Sequence, residues 1–257
     1  FYTSAYRCFL SPFLFQDADG RFREHDKSIG RAEGFTNYTT FSFWDTYRAF
    51  HPLMNLVRAD MSADVANSML AHYDKSVERM LPVWSFYGNE TWCMIGYHAV
   101  SVLADMIVKQ VPGFDYERAF EAMKRTATNP NYDCLPEYTK LGWVPFDKER
   151  ESVSKTLEYA YDDYCIAQAA RALGKEEDYD YFLRRSKRSS CGAETARAAG
   201  ARPLRPSPIR GRARCTAGAI LRRDSRCNIR GTCRTTSRDI STAWAAGCTK
   251  RASTRSS

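Results

Sequence analysis

Residues 1–187 of this 257-residue chain predict an all-α fold, a helical array or toroid. Apolar residues recur every three or four positions in several windows of helix length. No set of alternating apolar and polar residues competes as strands. The segments between the windows are long enough, at roughly 10–20 residues, to gather as functional loops on one face.

The first window runs from Met61 to Leu81, where Val65, Met69, Tyr73, Val77 and Met80 share a stripe and Ser62 is placed as an N-cap. From His98 to Gln110 the apolar run VSVLADMIV suits a buried helix. A Pro-Gly break precedes the third window, Asp115 to Lys124, with Tyr116, Ala119, Phe120 and Met123 on one face. Ser154 to Leu173 is the most regular. Its stripe is Leu157, Tyr161, Tyr164, Ala167, Ala170 and Leu173, and Gly174 follows as a C-cap. Asp178 to Ser186 starts a further helix.

Composition divides the chain at about residue 187. Residues 1–187 hold 22 Lys+Arg against 27 Asp+Glu, whereas residues 188–257 hold 16 against 3. The net charge of +8 therefore comes wholly from the second segment, which has Trp244 as its one aromatic residue. So few large apolar residues cannot offset the entropy of ordering a chain, so disorder is expected there. Its arginines could serve a nucleic-acid arm, but five cysteines without a CxxC pair or a histidine fit neither that arm nor a zinc site. A shifted reading frame accounts for the mixture better. From Cys227 the shifted codons allow Q-H-T-W-N-V-P-H-D-V-A-G, a peptide with alternating apolar and polar residues and a PHD turn. The segment is accordingly expected to be an out-of-frame, disordered tail.

No window of about 18 apolar residues is present, so no membrane-spanning helix is expected. The opening FYTSAYRCFL lacks a charged region followed by an apolar core, so no signal peptide is read in it. There is no HExxH, nucleophile elbow, phosphate loop or dinucleotide fingerprint.

Three segments join aromatic and ionisable residues. In FSFWDTYRAFHPL (Phe41 to Leu53), Trp44 and Asp45 suit a sugar platform, the ring stacking on C–H bonds while the carboxylate accepts from hydroxyls. A buried Trp beside an Asp–Arg pair reads equally from those letters. GNETWCMIGYH (Gly88 to His98) carries Glu90, Trp92 and His98, where the histidine is either a site group or a hydrogen-bonded structural one. In ESVSKTLEYAYDD (Glu151 to Asp163), Glu158 shares a helix face with Asp162. Turned inward among tyrosines, Glu158 loses water and its pKa is expected to rise, as a general acid requires. Turned outward, it pairs with Lys155 instead.

Together these segments resemble glycoside hydrolase family 92, the exo-acting α-mannosidases. The match is carried by FYTSAYR at the start, DADGRF from Asp17, FSFWDTYRAFHPL, MIGYHAV from Met94 and SVSKTLEYAYDDYCIAQAARALGK from Ser152. The resemblance covers residues 1–187 and implies most of the first two-thirds of an (α/α)6 toroid, the family's preceding β-sandwich being outside it. It implies removal of terminal α-linked mannose from glycans with inversion, calcium as cofactor, and a secreted or periplasmic parent. It implies Glu158 as general acid, Trp44 and Asp45 as residues of the mannose subsite, and His98 as a weaker candidate there. The base and the calcium ligands are expected further along, so this chain by itself is expected to be inactive. The alternatives are a glycan-binding remnant without turnover and a nucleic-acid binder acting through the arginine-rich segment.

Overall fold

The computed structural model describes residues 1–198, with side chains through Arg188. The expected out-of-frame tail lies outside the described residues from position 199 onward. Most of the described chain is helical: α1 (Tyr2–Cys8), α2 (Phe43–Thr46), α3 (Phe50–Val57), α4 (Ala59–Lys75), α5 (Ala99–Val108), α6 (Tyr116–Ala127), α7 (Leu135–Leu141), α8 (Ser152–Ala172) and α9 (Glu176–Ala198). Helix α9 continues past the boundary expected at 187.

The all-α expectation needs one correction. Six short strands form three antiparallel ribbons: β1 (Phe13–Leu14) with β4 (Tyr38–Thr39), β2 (Arg21–Arg23) with β3 (Ile29–Arg31), and β5 (Ser85–Phe86) with β6 (Asn89–Glu90). Strands of two or three residues are too short to show an alternation. Turn chemistry was the available signal. Tyr87 and Gly88 join β5 to β6 with φ of 49° and 71°, the two left-handed positions of a type I′ hairpin. A Cβ on Gly88 would also stand 3.0 Å from the carbonyl oxygen of Arg23, so the ribbon needs glycine there twice over.

Helix α5 is at the centre, with eight of its ten residues buried, and packs most extensively against α8. Helix α6 lies against α4, α5 and α8. The core includes Phe43, Met69, Leu70, Leu103, Phe120, Tyr138, Tyr159 and Ile166. Helix α6 begins as its sequence indicates, the Asp115 carboxylate accepting from the Arg118 N–H at 3.0 Å. The end of α8 is a Schellman turn. Gly174 takes φ of 72°, with N–H bonds from Gly174 to Arg171 and from Lys175 to Ala170.

Two helices depart from expectation in detail. Helix α4 stops at Lys75, so Val77 is exposed, while Met80 reaches the core from a turn in which its N–H donates to Ser76 Oγ. Ser62 does not cap the helix but is buried within it, Arg58 standing at the N-cap position. In α8 the expected stripe holds in the second half, where Ala167 and Ala170 are buried, and fails at its start. Leu157 is 49% exposed, whereas Lys155, Tyr159, Asp162, Asp163 and Ile166 face inward. The reason is charge pairing inside the fold. Lys155 Nζ lies 2.7 Å from both Asp133 and Glu149, and Asp163 is held by Arg185. A hydropathy pattern places charged residues outside and cannot anticipate that they neutralise each other within.

The β5–β6 ribbon is fixed from within by Glu90. One of its carboxylate oxygens accepts from the N–H groups of Trp84, Thr91 and Trp92, and the other from Val83, all at 2.8–3.0 Å. Glu90→Ala is expected to leave those donors short of partners and destabilise the fold by about 1–3 kcal/mol. Urea unfolding measures the loss, and an unchanged midpoint would show that water replaces the carboxylate at no cost.

Candidate active site

The N-terminus of α5 meets the first half of α8 beneath α2, bringing together Trp44, Tyr47, His98, Glu158 and Asp162. His98 stands at the N-cap position of α5 and is 1% exposed. Its Nδ1 lies 2.9 Å from Asp162 Oδ1, and its Nε2 lies 2.9 Å from Glu158 Oε2. The second contact is a close ion pair without hydrogen-bond alignment, since Nε2 has no properly aligned acceptor. Asp162 Oδ2 accepts from the Tyr97 N–H at 2.9 Å. Trp44 Nε1 donates to Glu158 Oε1 at 3.3 Å. The Tyr47 ring stacks on His98 with centroids 4.3 Å apart, and Arg48 lies over both Trp44 and Tyr47.

The helical spacing of four residues puts Glu158 and Asp162 on one side of α8, as expected, and the histidine fits between them. The Glu158 side chain is 12% exposed at the rim of this cluster. Its outward alternative, a pair with Lys155, is excluded because Lys155 is buried against Asp133 and Glu149. Trp44 is half-buried and Asp45 is exposed beside it on α2. Asp45 is thus near Trp44 but is not joined to the His98–Glu158–Asp162 cluster. Glu90, grouped with His98 by sequence, instead holds the ribbon. Trp92 is exposed with its ring 5.7 Å from Tyr132.

Asp162 and Tyr47 were not singled out as site residues. Asp162 is fully buried, yet a sequence shows only one more acid in an acid-rich helix. The available signal was its position four residues after Glu158. For Tyr47, stacking on a ring 51 residues away leaves no local trace.

Burial works against a charge on His98, but Asp162 and Glu158 outweigh it and raise the imidazole pKa to about 9. Burial also pushes the Asp162 carboxyl up, with His98 opposing. Two other histidines move the other way. Burial holds His51 down to about 3, and burial with the nearby His25 holds His72 down to about 3. These shifts predict a stability maximum near pH 6.5. A histidine with a lowered folded pKa resists protonation, so its contribution is intact above about 6.5 and is lost as pH falls toward 3. A raised one contributes fully below about 6.5 and loses that contribution as pH rises through 9. Guanidinium midpoints from pH 4 to 10 check this, and a flat profile contradicts it.

A second buried cluster ties α9 to α8. Arg185 Nε donates to Asp163 Oδ2 at 2.6 Å, Arg185 Nη2 bonds Oδ1, and Arg185 Nη2 also donates to the carbonyl of Ala127 at 2.8 Å. The hydroxyls of Tyr97 and Tyr138 donate to the same carboxylate at 3.1 and 3.0 Å. This cluster is closed to solvent and structural. A separate small cavity is lined by His25, Tyr38, Thr39, Ser68, His72 and Ser85, between the ribbons and α4 and apart from Glu158.

Among the described residues, no group of three or more His, Cys, Asp or Glu side chains is arranged to hold a metal ion. Glu158 and Asp162 converge but are both drawn onto His98. No helix among the described residues is long and apolar enough to cross a membrane.

The model of the glycosyl hydrolase family 92 catalytic domain matches residues 1–190. A family 92 α-mannosidase from Bacteroides thetaiotaomicron, solved with mannoimidazole, is 76% identical at a TM-score of 0.72, over 73% of this chain and 25% of its own. An inverting mannosidase of family 92 from the same organism is 34% identical at a TM-score of 0.67, over 73% of this chain and 26% of its own. An uncharacterized secreted glycosidase from Arthroderma benhamiae is 30% identical over 105 residues, 35% of this chain and 14% of that protein. The chain thus spans about a quarter of the length of these solved relatives.

Proposed function

The chain belongs to glycosyl hydrolase family 92, and on that premise we propose that it carries the general-acid side of an α-mannosidase site. In this reading Glu158 protonates the oxygen leaving a terminal α-linked mannose. Trp44 provides an apolar face for the sugar, and Asp45, exposed beside it, accepts from sugar hydroxyls. The observation that carries the reading is the setting of Glu158. It is an acid at the rim of a buried cluster, touching an indole N–H on one oxygen and an imidazole on the other.

The inverting course follows from the same premise. An inverting glycosidase needs a base carboxylate about 6.5–9.5 Å from the acid, across the sugar, to activate water. In this reading that base, and the donors for calcium, lie beyond the matched residues. Calcium bound there would engage sugar hydroxyls and favour ring distortion. Within the described residues the work is orientation and proton donation. The helices are read as the first part of an (α/α)6 toroid, residues 1–187 being the glycosidase portion and 188–257 an out-of-frame tail. Exposed apolar residues support a larger toroid: Phe1 is 96% exposed, Tyr2 84% and Leu56 76%. The natural substrates are mannose-containing glycans rather than nucleic acid, met outside the cytoplasm.

The test is a chimaera in which residues 1–187 replace the matching segment of the 76%-identical mannosidase. It is expected to release β-mannose first, as seen by NMR of the anomeric proton, and the isolated chain to release none. A folded chimaera without hydrolysis sinks the reading. Mannose binding without turnover would favour the glycan-binding alternative.

A further inference from the structure

We propose that Asp162 and His98 are a positioning pair for Glu158, Asp162 fixing the imidazole ring and the ring holding one carboxylate oxygen, so that the other is presented to substrate. The proposal rests on the assignment of Glu158 as the acid and adds two residues that act through it.

The geometry is a linear arrangement across a buried ring. Asp162 is itself anchored, with Oδ2 on the Tyr97 N–H and Oδ1 on His98 Nδ1. An acceptor on Nδ1 determines which nitrogen keeps its proton when the ring is neutral, and so makes Nε2 the face that meets Glu158 Oε2. The ring cannot turn away. Tyr47 stacks on one side, and an added Cβ on Gly96 would lie 2.7 Å from Nε2. At φ of 81° Gly96 also needs to be glycine, so the backbone leaves space for this ring and no more. Both ring nitrogens lie within 2.9 Å of a carboxylate oxygen and the side chain is buried, so the near neighbours of His98 are protein acids. Glu158 Oε1 has a single long contact, from Trp44 Nε1, that a glycosidic oxygen can displace.

The ionisable groups around His98 are few. From α8 it meets Glu158, Asp162 and Tyr161, with Cys165 one turn further. From the link between α2 and α3 it meets Tyr47, behind which Arg48 lies. From its own segment the backbone at Gly96 lies against the ring. When Glu158 gives its proton to the leaving oxygen, the new carboxylate charge forms against His98. The pair thus fixes the carboxyl plane and sets an imidazole 2.9 Å from the oxygen beside which that charge forms.

The experiment uses the full chain labelled with 13C at His Cε1, titrated by NMR. The His98 resonance is expected to titrate well above the ordinary midpoint of about 6.5. In Asp162→Asn the midpoint should fall by about 1–3 units. Because Asp162 is buried and its variant can fail to fold, Glu158→Gln at the rim provides the second reading, with a fall in the same direction. The pair is overturned if the His98 midpoint is ordinary in the parent chain, or the same in folded variants. In the chimaera, Asp162→Asn should lower kcat about 10-fold or more, with KM little changed, and displace the pH profile of kcat/KM. A chimaera that hydrolyses nothing sinks the mannosidase reading. One that hydrolyses with the same kcat and pH profile with or without Asp162 sinks the pair alone.

Discussion

Glu158→Gln in the chimaera is expected to lower kcat about 10²–10⁴-fold on mannosides with poor leaving groups, the range general acid assistance supplies. The substitution keeps the shape of the side chain and the hydrogen bond with Trp44 while removing the transferable proton. The loss should depend on the leaving group. An alkoxide must be protonated as the C–O bond breaks, whereas a nitrophenolate needs little help. An aryl mannoside with an activated phenol should therefore retain most of its rate, and a disaccharide very little. KM should change little, because proton transfer is made only in the transition state. A variant that cleaves the disaccharide at the parental rate would show that the acid is another residue. Loss of both substrates in equal measure, with a raised KM, would point to Glu158 as a sugar ligand instead.

Arg185→Met is expected to destabilise the fold by about 3–5 kcal/mol, the usual cost of removing one partner from a buried ion pair. Arg185 is 2% exposed and satisfies Asp163 together with two tyrosine hydroxyls. Without it, a carboxylate stays buried with hydrogen bonds but no countercharge. At about 2–4 °C per kcal/mol for a domain of this size, the melting temperature should drop by roughly 6–20 °C. The double variant Asp163→Asn with Arg185→Met removes the stranded charge and should recover part of the loss. Calorimetry of the three proteins checks this. If the double variant is no better than Arg185→Met, the penalty comes from lost packing of the guanidinium on Phe182 and Tyr181 rather than from charge.

Local patterns and local chemistry were legible in the residues themselves. Helices α5, α6 and α8 follow from apolar periodicity and cap chemistry, since Asp115 and Gly174 act through neighbours three or four residues away. Family membership was legible too, because ordered motifs such as FSFWDTYRAFHPL and TLEYAYDD are strings that need no coordinates. Trp44, His98 and Glu158 came from those strings, and the fold brings them into one cluster. Asp45 stays outside it.

Which face of α8 is inside was decided only by the tertiary structure. Leu157 read as core and is half exposed, while Lys155 and Asp163, outside the expected apolar stripe, are buried. Hydropathy assigns each residue a preference on its own, but the cost of burying a charge depends on its partner. Those partners are Glu149, His98 and Arg185, brought close by helix packing and not all by sequence separation. The same limit hid the role of His98. Its place in the chain marks a helix start, and only the fold sets Asp162 on one nitrogen, Glu158 on the other and Tyr47 across its face. Local backbone propensity is written along the chain, whereas the neutralisation of a buried charge is a property of pairs that the chain does not contain until it has folded.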